Sequence, residues 1–366
     1  MSPQVSRVGP VSAVVCNYNG EAYLPACLDS LLALDPAPAE IIVVDNESTD
    51  GSIGLLRERY PGVTCLPMGR NAGPAAARNA GMRAAQYPWV LALDNDVTLP
   101  PDGLGSLRAA ANAHPDAVLL QPRSVFAGDR GRVHYDGGHL HYAGLIALRN
   151  FYTPLAEAEG EGTVAVDAIV SLCLLVDARA VLEAGGYDEL YFILFEDLDL
   201  SYRLRSEGLG LYCVEGTICV HDEGTAGISF REGPRYPARR VRLHSRNRWM
   251  YVAKCYSLFG LLLAIPGLLV YEVAQVGFAL QQRAFWAYCL GKWDFLLCLP
   301  GAWSRRRGVQ RRRRFGDRAL LVEGPLTLTP AVAASPRKAR LARGLNRILT
   351  ALWPQRPRAM PARRDS

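Results

Sequence analysis

Three runs in the first hundred residues constrain this chain more than anything else in it. They are VSAVVCN (Val11–Asn17), EIIVVD (Glu40–Asp45) and WVLALD (Trp89–Asp94). Each is apolar at consecutive positions rather than at alternate ones. A strand written this way is buried on both faces, which requires helices on both sides of a sheet. Helical spacing stands between the runs. Leu24, Leu28, Leu31 and Leu32 share a face, and NAGPAAARNAGMRAAQ reads as a loop feeding an alanine-rich helix. GVTCLPM is a weaker strand. The expected fold class is α/β, a mainly parallel sheet sandwiched by helices. Ligands of such sheets sit at the carboxyl ends of the strands. Those ends carry Asn17, Asp45, Asn71, Asp94 and Asp96.

The pattern loosens over residues 119–170, where glycines are frequent. AIVSLCLLVDARAVLEAGGYDE then reads as a strand and a short helix stopping at Gly185-Gly186. FILFEDLDLSYRLRSEG drives an apolar run into Glu196, Asp197 and Asp199. LYCVEGTICVHDEG reads as a short strand pair ending at His221. From Arg239 the chain turns basic and aromatic. Residues 258–280 are long enough to span a bilayer, but Pro266-Gly267, Glu272 and Gln275 interrupt them. RAFWAYCLGKWDFLLCLPGAW is a second apolar stretch, and SRRRGVQRRRR follows it directly. Three regions are expected: a catalytic unit over 1–235, a membrane-associating helical region over 236–303, and a basic, largely disordered tail over 304–366.

Charge sharpens this division. The chain carries +6, yet residues 304–366 hold 17 basic side chains against 3 acidic ones, which leaves the remainder acidic. A basic end on an acidic body suits an anionic partner, with membrane lipid or nucleic acid as the candidates. Nine cysteines without a CxxC pair argue against a zinc site or a disulfide framework and fit a reducing cytosol. The first residues lack the apolar core of a secretory signal.

The acids at strand ends admit two readings each. In LDNDV, Asp94 and Asp96 at i and i+2 can converge on one hard cation, Mg²⁺ or Mn²⁺, with Asn95 between them; the plainer reading is a solvated turn. In VVDNESTDGS, Asp45 and Asn46 can accept from a base and a ribose; the plainer reading is Asx-turn chemistry. Asn71 and Arg78 stand among small residues that permit close approach. The GxGxxG of a dinucleotide fold and the GK[ST] of a P-loop are both missing.

In their order, VVCNYNG, IIVVDNESTDGS, NAGPAAARN, LDNDV, GGYDELYFILFEDLDLSYRLRSEG and HDEG resemble the family 2 inverting glycosyltransferases of the A-type nucleotide-sugar fold (GT-A). More narrowly, the chain is similar to the bacterial rhamnosyltransferase-like branch. The resemblance covers residues 11–225. It implies a nucleotide-sugar site built from Asn17, Asp45, Asn46, Asn71, Arg78, Asp94 and Asn95. It implies a divalent cation held by Asp94, Asp96 and His221, Asp96 most directly. Gly186, Tyr187 and Asp188 match the acceptor side. Asp197 matches the catalytic base, with Glu196 beside it capping the helix or orienting the acceptor. Asp199, four residues before Arg203, reads as a helix-stabilising pair.

The implied reaction is a single displacement. An acceptor hydroxyl, deprotonated by Asp197, attacks the anomeric carbon of a UDP- or dTDP-sugar, with rhamnose among the candidates. The implied acceptor is a lipid-linked or surface polysaccharide precursor. SRNRW has Ser245 where processive relatives carry the glutamine of QxxRW, which favours a non-processive enzyme. Arg246-Asn247 resembles the rhamnosyltransferase-like branch. The segments after residue 258 read as interfacial helices held to the cytoplasmic membrane surface by the basic run 305–314, in preference to a span or to an ordinary core. Three competitors remain: an inactive scaffold of the same fold, a sugar nucleotidyltransferase, whose basic glycine-rich loop is missing, and a nucleic-acid binder, opposed by the acidic body.

Overall fold

The three apolar runs become neighbouring parallel strands. The computed structural model describes residues 7–222, 236–328, 332 and 334–354. Its first elements are β1 (Val11–Asn17), α1 (Leu24–Leu32), β2 (Glu40–Asp45), α2 (Ser52–Arg59), β3 (Thr64–Pro67), α3 (Gly73–Ala84) and β4 (Trp89–Asp94). β1 sits between β2 and β4, and β3 lies beyond β2, all parallel. The register sets Asn17 against Asp45 and Cys16 against Asp94, so the strand-end acids emerge along one edge.

Alternate residues of each strand serve opposite layers. Ala13, Val15, Val43, Leu91 and Leu93 pack with Leu24, Leu28 and Leu31 of α1 and with Leu104 and Leu107 of α4 (Gly103–Ala113). Val14, Ile42, Val44, Val90 and Ala92 pack with Ala75 and Ala77 of α3 on the other side. This double burial is what the continuous apolar runs encode.

Beyond β4 the sheet becomes mixed. The chain continues through β5 (Val97–Thr98), α4, β6 (Ala117–Phe126), β7 (Asp129–Tyr135), β8 (Gly138–His141), β9 (Leu145–Leu148), β10 (Thr163–Ala165), β11 (Cys173–Asp177), α5 (Ala178–Glu183), α6 (Glu196–Ser206) and β12 (Gly210–His221). The strand order is β10-β12-β6-β11-β4-β1-β2-β3, with β11 antiparallel between β4 and β6. The expected strand pair at LYCVEGTICVH is a single strand of 12 residues. Its pairing with β6 slips between Val214 and Ile218, where Glu215-Gly216 sit, and that irregularity makes one strand read as two.

The C-terminal elements are α7 (Ala238–Cys255), α8 (Leu258–Gln281), α9 (Phe285–Arg312), α10 (Asp317–Leu320), β13 (Leu321–Val322) and α11 (Pro336–Leu352). Tyr251, Tyr256, Leu268, Leu320 and Leu349 share a core with Leu198 and Tyr202 of α6, so these helices pack directly on α6. The expected disordered tail is corrected by the structure. α9 runs through residue 303 without a break, and β13 pairs with β8. Arg306 donates to the Ala253 carbonyl at 2.6 Å, and Arg313 bonds Asp317 at 2.9 Å. A composition that reads as solvated charge is here anchored by guanidinium donors. The expected boundary at 235, Glu223 and Gly224 of HDEG, and residues 355–366 lie outside the described residues.

Candidate active site

At the carboxyl edge of the parallel strands, one asparagine joins three elements. Asn17 Nδ2 donates to Asp45 Oδ1 at 2.9 Å, and Asn17 Oδ1 accepts from Asn95 Nδ2 at 2.8 Å. The second oxygen of Asp45 accepts from the Ser48 amide at 3.0 Å. A Cβ on Gly20 would lie 2.1 Å from both Asn17 Oδ1 and Asn95 Nδ2, so the turn after β1 needs glycine for this junction to close. Asn46 accepts from the Ala72 amide at 2.9 Å, and Asn71 accepts from the Gly73 amide at 3.1 Å, which fixes the loop entering α3. Part of the Asx-turn reading therefore holds for Asp45, whose Oδ2 takes the nearby Ser48 amide, while Asn46 and Asn71 spend their oxygens on the backbone of the loop entering α3.

Arg78 comes up from α3 beneath this edge and is buried. Its Nη2 donates to Asp94 Oδ1 and to the Ser171 carbonyl, both at 2.6 Å, while Nη1 lies 3.8 Å from Glu196 Oε1. The guanidinium also stands 5.6 Å from the Tyr187 ring centre. Around it are buried polar atoms without a hydrogen-bond partner among the described residues: Arg78 Nε and Nη1, Glu196 Oε2 and Asp197 Oδ1. Buried polar atoms are ordinarily paired, so an open group of them calls for a partner such as water, an ion or a ligand. Burial pushes Asp197 above the ordinary carboxylate range, partly offset by Arg78 and then by Ser171. Glu196 is pushed to about 8, by burial first and by the charge of Asp197 second. Burial also raises Asp94 to about 6 against the pull of Arg78.

The chain reaches α6 through an unusual backbone. Phe192, Leu194 and Phe195 all have positive φ, at 64°, 69° and 74°. Each such residue costs about 1–3 kcal/mol and persists only where its surroundings over-determine it. Asn247 of α7 supplies that support, donating from Nδ2 to the carbonyls of Tyr191, Ile193 and Leu194 at 3.2, 2.9 and 2.7 Å. Arg246 adds a bond to the Tyr191 carbonyl at 2.7 Å. Gly73, with φ +84°, allows the Phe192 carbonyl to rest on α3, since a Cβ there would lie 2.4 Å from that oxygen. Asp197 thus stands in the first turn of α6, at the end of a clamped loop.

On the far side of the edge, Asp96 and His221 come together. His221 Nε2 lies 3.2 Å from Asp96 Oδ2, and the other oxygen of Asp96 is buried without a partner. His221 Nδ1 faces His134 Nδ1 at 3.0 Å. One imidazole nitrogen of His221 and one carboxylate of Asp96 are thus adjacent at the strand ends. That donor set suits a divalent cation whose remaining ligands are water or substrate oxygens. Among the described residues no group of three or more His, Cys, Asp or Glu could hold a metal on its own. Asp94, also expected to share the cation, gives one of its two oxygens to Arg78.

The expected acceptor-side residues separate. Gly186, with φ +64°, leaves room for Asn79, which accepts from the Tyr187 amide at 2.8 Å. The Tyr187 hydroxyl meets Ser171 Oγ at 2.8 Å, next to Asp197. Asp188 is turned away and buried, accepting from Lys254 at 2.6 Å. The pair between Asp199 and Arg203 is present at 2.7 Å, but both side chains are buried and Lys254 also reaches Asp199 at 2.8 Å. Sequence reasoning missed Ser171, Lys254 and Gly20. Ser171 and Lys254 act through the tertiary fold and carry no local signal; Gly20 ends the NYNG turn, where a close approach was legible in principle.

Comparison with known proteins identifies the family and the fold. The sequence model of glycosyl transferase family 2 matches residues 12–165, which carry the strand-end acids. The N-acetylglucosaminyl-diphospho-decaprenol L-rhamnosyltransferase of Mycobacterium tuberculosis is 30% identical over 274 residues, covering 69% of this chain and 86% of that protein. The fold is similar to that of S. aureus TarS residues 1–349 in complex with UDP-GlcNAc, with a TM-score of 0.53 and 16% identity over 93% of this chain and 89% of that one. It is also similar to GalNAc-T7 with UDP, GalNAc and Mn²⁺, with a TM-score of 0.51 and 17% identity over 68% of this chain and 51% of that one. A relative aligned along most of its own length, together with a GT-A scaffold that presents its acids where the family model lies, makes this chain a glycosyltransferase belonging to glycosyl transferase family 2.

Proposed function

We propose that this glycosyltransferase moves a sugar from a UDP- or dTDP-sugar to a hydroxyl of a lipid-linked or surface-polysaccharide acceptor, with inversion, adding one or a few residues. The observation that carries the reading is the group of unpartnered polar atoms on Arg78, Glu196 and Asp197 at the end of the clamped loop. Asp197 Oδ1, open and held on a helix, takes the proton of the acceptor hydroxyl as its oxygen attacks the anomeric carbon. Arg78 holds Asp94 and Ser171 in place and keeps a positive charge beside both carboxyls. Asp45 and Asn95, positioned by Asn17, bind the nucleotide at the strand ends. Asp96 and His221 would hold Mg²⁺ or Mn²⁺, and such a cation, when bound, neutralises charge on a diphosphate leaving group.

The named relatives support the substrate classes: one is named for a lipid-diphosphate acceptor, and the two structural neighbours hold UDP or UDP-GlcNAc. Membrane association belongs to the same proposal. α8 is the one helix among the described residues that is long and apolar enough to cross a bilayer. One side of it is committed to the protein, through buried Gly267 and Leu268 and through Glu272, which pairs with Arg248 at 2.6 Å. Its other side exposes Leu258, Leu262, Ile265, Leu269 and Val273, a single stripe. A helix with one protein face and one apolar face suits lying in an interface on the cytoplasmic side.

The test is nucleoside diphosphate release from UDP- and dTDP-sugars with Mn²⁺ and a lipid-diphosphate-linked sugar acceptor. Wild type is expected to turn over one donor class. Asp197→Asn is expected to bind that donor and not transfer it. Substantial turnover by Asp197→Asn removes it from the base role, and no turnover with any donor favours an inactive scaffold.

A further inference from the structure

α7 and α9 flank an open cavity of about 300 Å³ that the reaction as described leaves unused. Arg239, Arg242 and Arg246 line it at i, i+3 and i+7, one face of α7. The acid in the wall is Asp294, held by Arg242 in a two-pronged pair at 2.6 and 2.9 Å. Three guanidiniums therefore face one carboxylate. Arg246 spends Nε on Asn247 and Nη2 on the carbonyls of Leu190 and Tyr191. Its Nη1 is unengaged among the described residues. Arg239 is exposed, with its guanidinium 5.6 Å from the Phe192 ring centre. The other wall is apolar: Leu297, 64% exposed, and Cys298. Leu297 continues the α9 stripe of Trp286, Leu290 and Trp293, all exposed.

A cationic floor beside an apolar rim fits an amphiphile with a multiply charged anionic head. Guanidinium forks match phosphate oxygens, and the apolar stripe offers a path for a hydrocarbon chain. The cavity is also wired to the chemistry, because Arg239 and Arg246 contact residues 190–192, which lead into the clamped loop before Asp197. We infer that this arginine-lined cavity holds the diphosphate of the lipid-linked acceptor while the α9 stripe takes its lipid chain. This rests on the proposed function above and names a binding site for its acceptor.

The experiment measures binding of farnesyl diphosphate to the full chain by tryptophan fluorescence, with farnesol, inorganic diphosphate and phosphatidylglycerol vesicles as comparisons and with UDP and dTDP binding measured in parallel. Farnesyl diphosphate is expected to bind at least about tenfold more tightly than farnesol or inorganic diphosphate, because head and tail are both recognised. The double variant Arg239→Gln/Arg242→Gln should weaken it by about tenfold or more, and Asp294→Asn should tighten it by a few-fold. Nucleotide binding should be unchanged in both. Farnesyl diphosphate affinity that ignores the arginine variants, or that falls in Asp294→Asn, overturns the inference. So does an equal loss of binding to phosphatidylglycerol vesicles, which would make the arginines a general lipid contact. If wild type binds neither nucleotide, it is the proposed function that falls; if it binds one and the lipid arms fail, only this inference does.

Discussion

The side-chain amide of Asn247 donates to the carbonyl of Leu194 at 2.7 Å, and Leu194 is one of three positive-φ residues leading into the helix of Asp197. The same nitrogen reaches two further carbonyls of the loop. A helix of the C-terminal region therefore sets the position of the proposed base. Asn247→Ala removes the donor and leaves the strained backbone to relax. A displacement of about 1 Å at a reacting group can cost about a hundredfold in rate. The expected result is kcat lowered by that order with the donor KM nearly unchanged. A variant that keeps wild-type kcat would show that the loop holds its shape without the clamp.

Lys254 lies between two buried carboxylates, 2.6 Å from Asp188 and 2.8 Å from Asp199. Together with Arg203 it holds Asp199 well below the usual carboxylate range. Lys254→Met leaves Asp188 and Asp199 buried with less compensation, and breaking a buried pair in this way costs about 3–5 kcal/mol. Urea unfolding should show the loss at neutral pH and a smaller one in acid, since the benefit exists only while Asp199 is ionised in the folded chain and its unfolded counterpart also is. An unfolding midpoint equal to wild type at neutral pH would contradict the assignment.

Sequence and structure part company at identifiable places. The parallel half of the sheet was legible because apolar runs of consecutive residues leave no other way to be buried, and the register then delivers Asn17, Asp45 and Asp94 to one edge. The contact of Asp96 with His221 was expected only through the family resemblance, which grouped both with Asp94. The roles within the acidic cluster were not legible. Nothing local tells that Asp188 turns inward to Lys254 or that Asp94 is taken by Arg78, because both partners arrive through tertiary packing. The tail was misread for the same reason. Arg306, Arg312 and Arg313 look like solvated charge until their acceptors, the Ala253 carbonyl, Glu207 and Asp317, are brought to them.

Asp96 and His221 make a prediction about metal. With one carboxylate oxygen unpartnered and an imidazole nitrogen beside it, the pair should bind Mn²⁺ weakly alone and more tightly with a nucleoside diphosphate supplying oxygens. Asp96→Asn and His221→Ala should each weaken Mn²⁺ binding in the presence of UDP or dTDP, and loss of a ligand or its orienting partner typically costs about 10–100-fold. Titration followed by electron paramagnetic resonance reads this directly. Unchanged Mn²⁺ affinity in both variants would assign the pair to structure.

The exposed stripe on α8 predicts how the protein meets a membrane. Leu262 and Leu269 are 67% and 57% exposed, so Leu262→Glu with Leu269→Glu should cost little in folding. Flotation with vesicles of phosphatidylglycerol and phosphatidylcholine should show wild type bound and released by alkaline carbonate, and the double variant largely unbound. Carbonate-resistant wild type would instead indicate a spanning helix.

Glu196 gives the last prediction, through its proton. Burial and the neighbouring charge of Asp197 lift it from about 4.5 to about 8. Between those values the folded chain keeps a proton that the unfolded chain has released, so stability falls as pH rises through the window. Glu196→Gln carries no titrating proton and mimics the neutral acid. Its Tm should therefore rise relative to wild type as the pH is raised across the window, with the gain levelling off above it. Near neutrality, where wild-type Glu196 is still protonated, the glutamine should keep kcat within a few-fold, whereas Asp197→Asn loses about 10²–10⁴-fold as a general base is removed. If the two variants were equally inactive at neutral pH, Glu196 would be working as an ionised carboxylate, and the division of labour between the two acids would have to be redrawn.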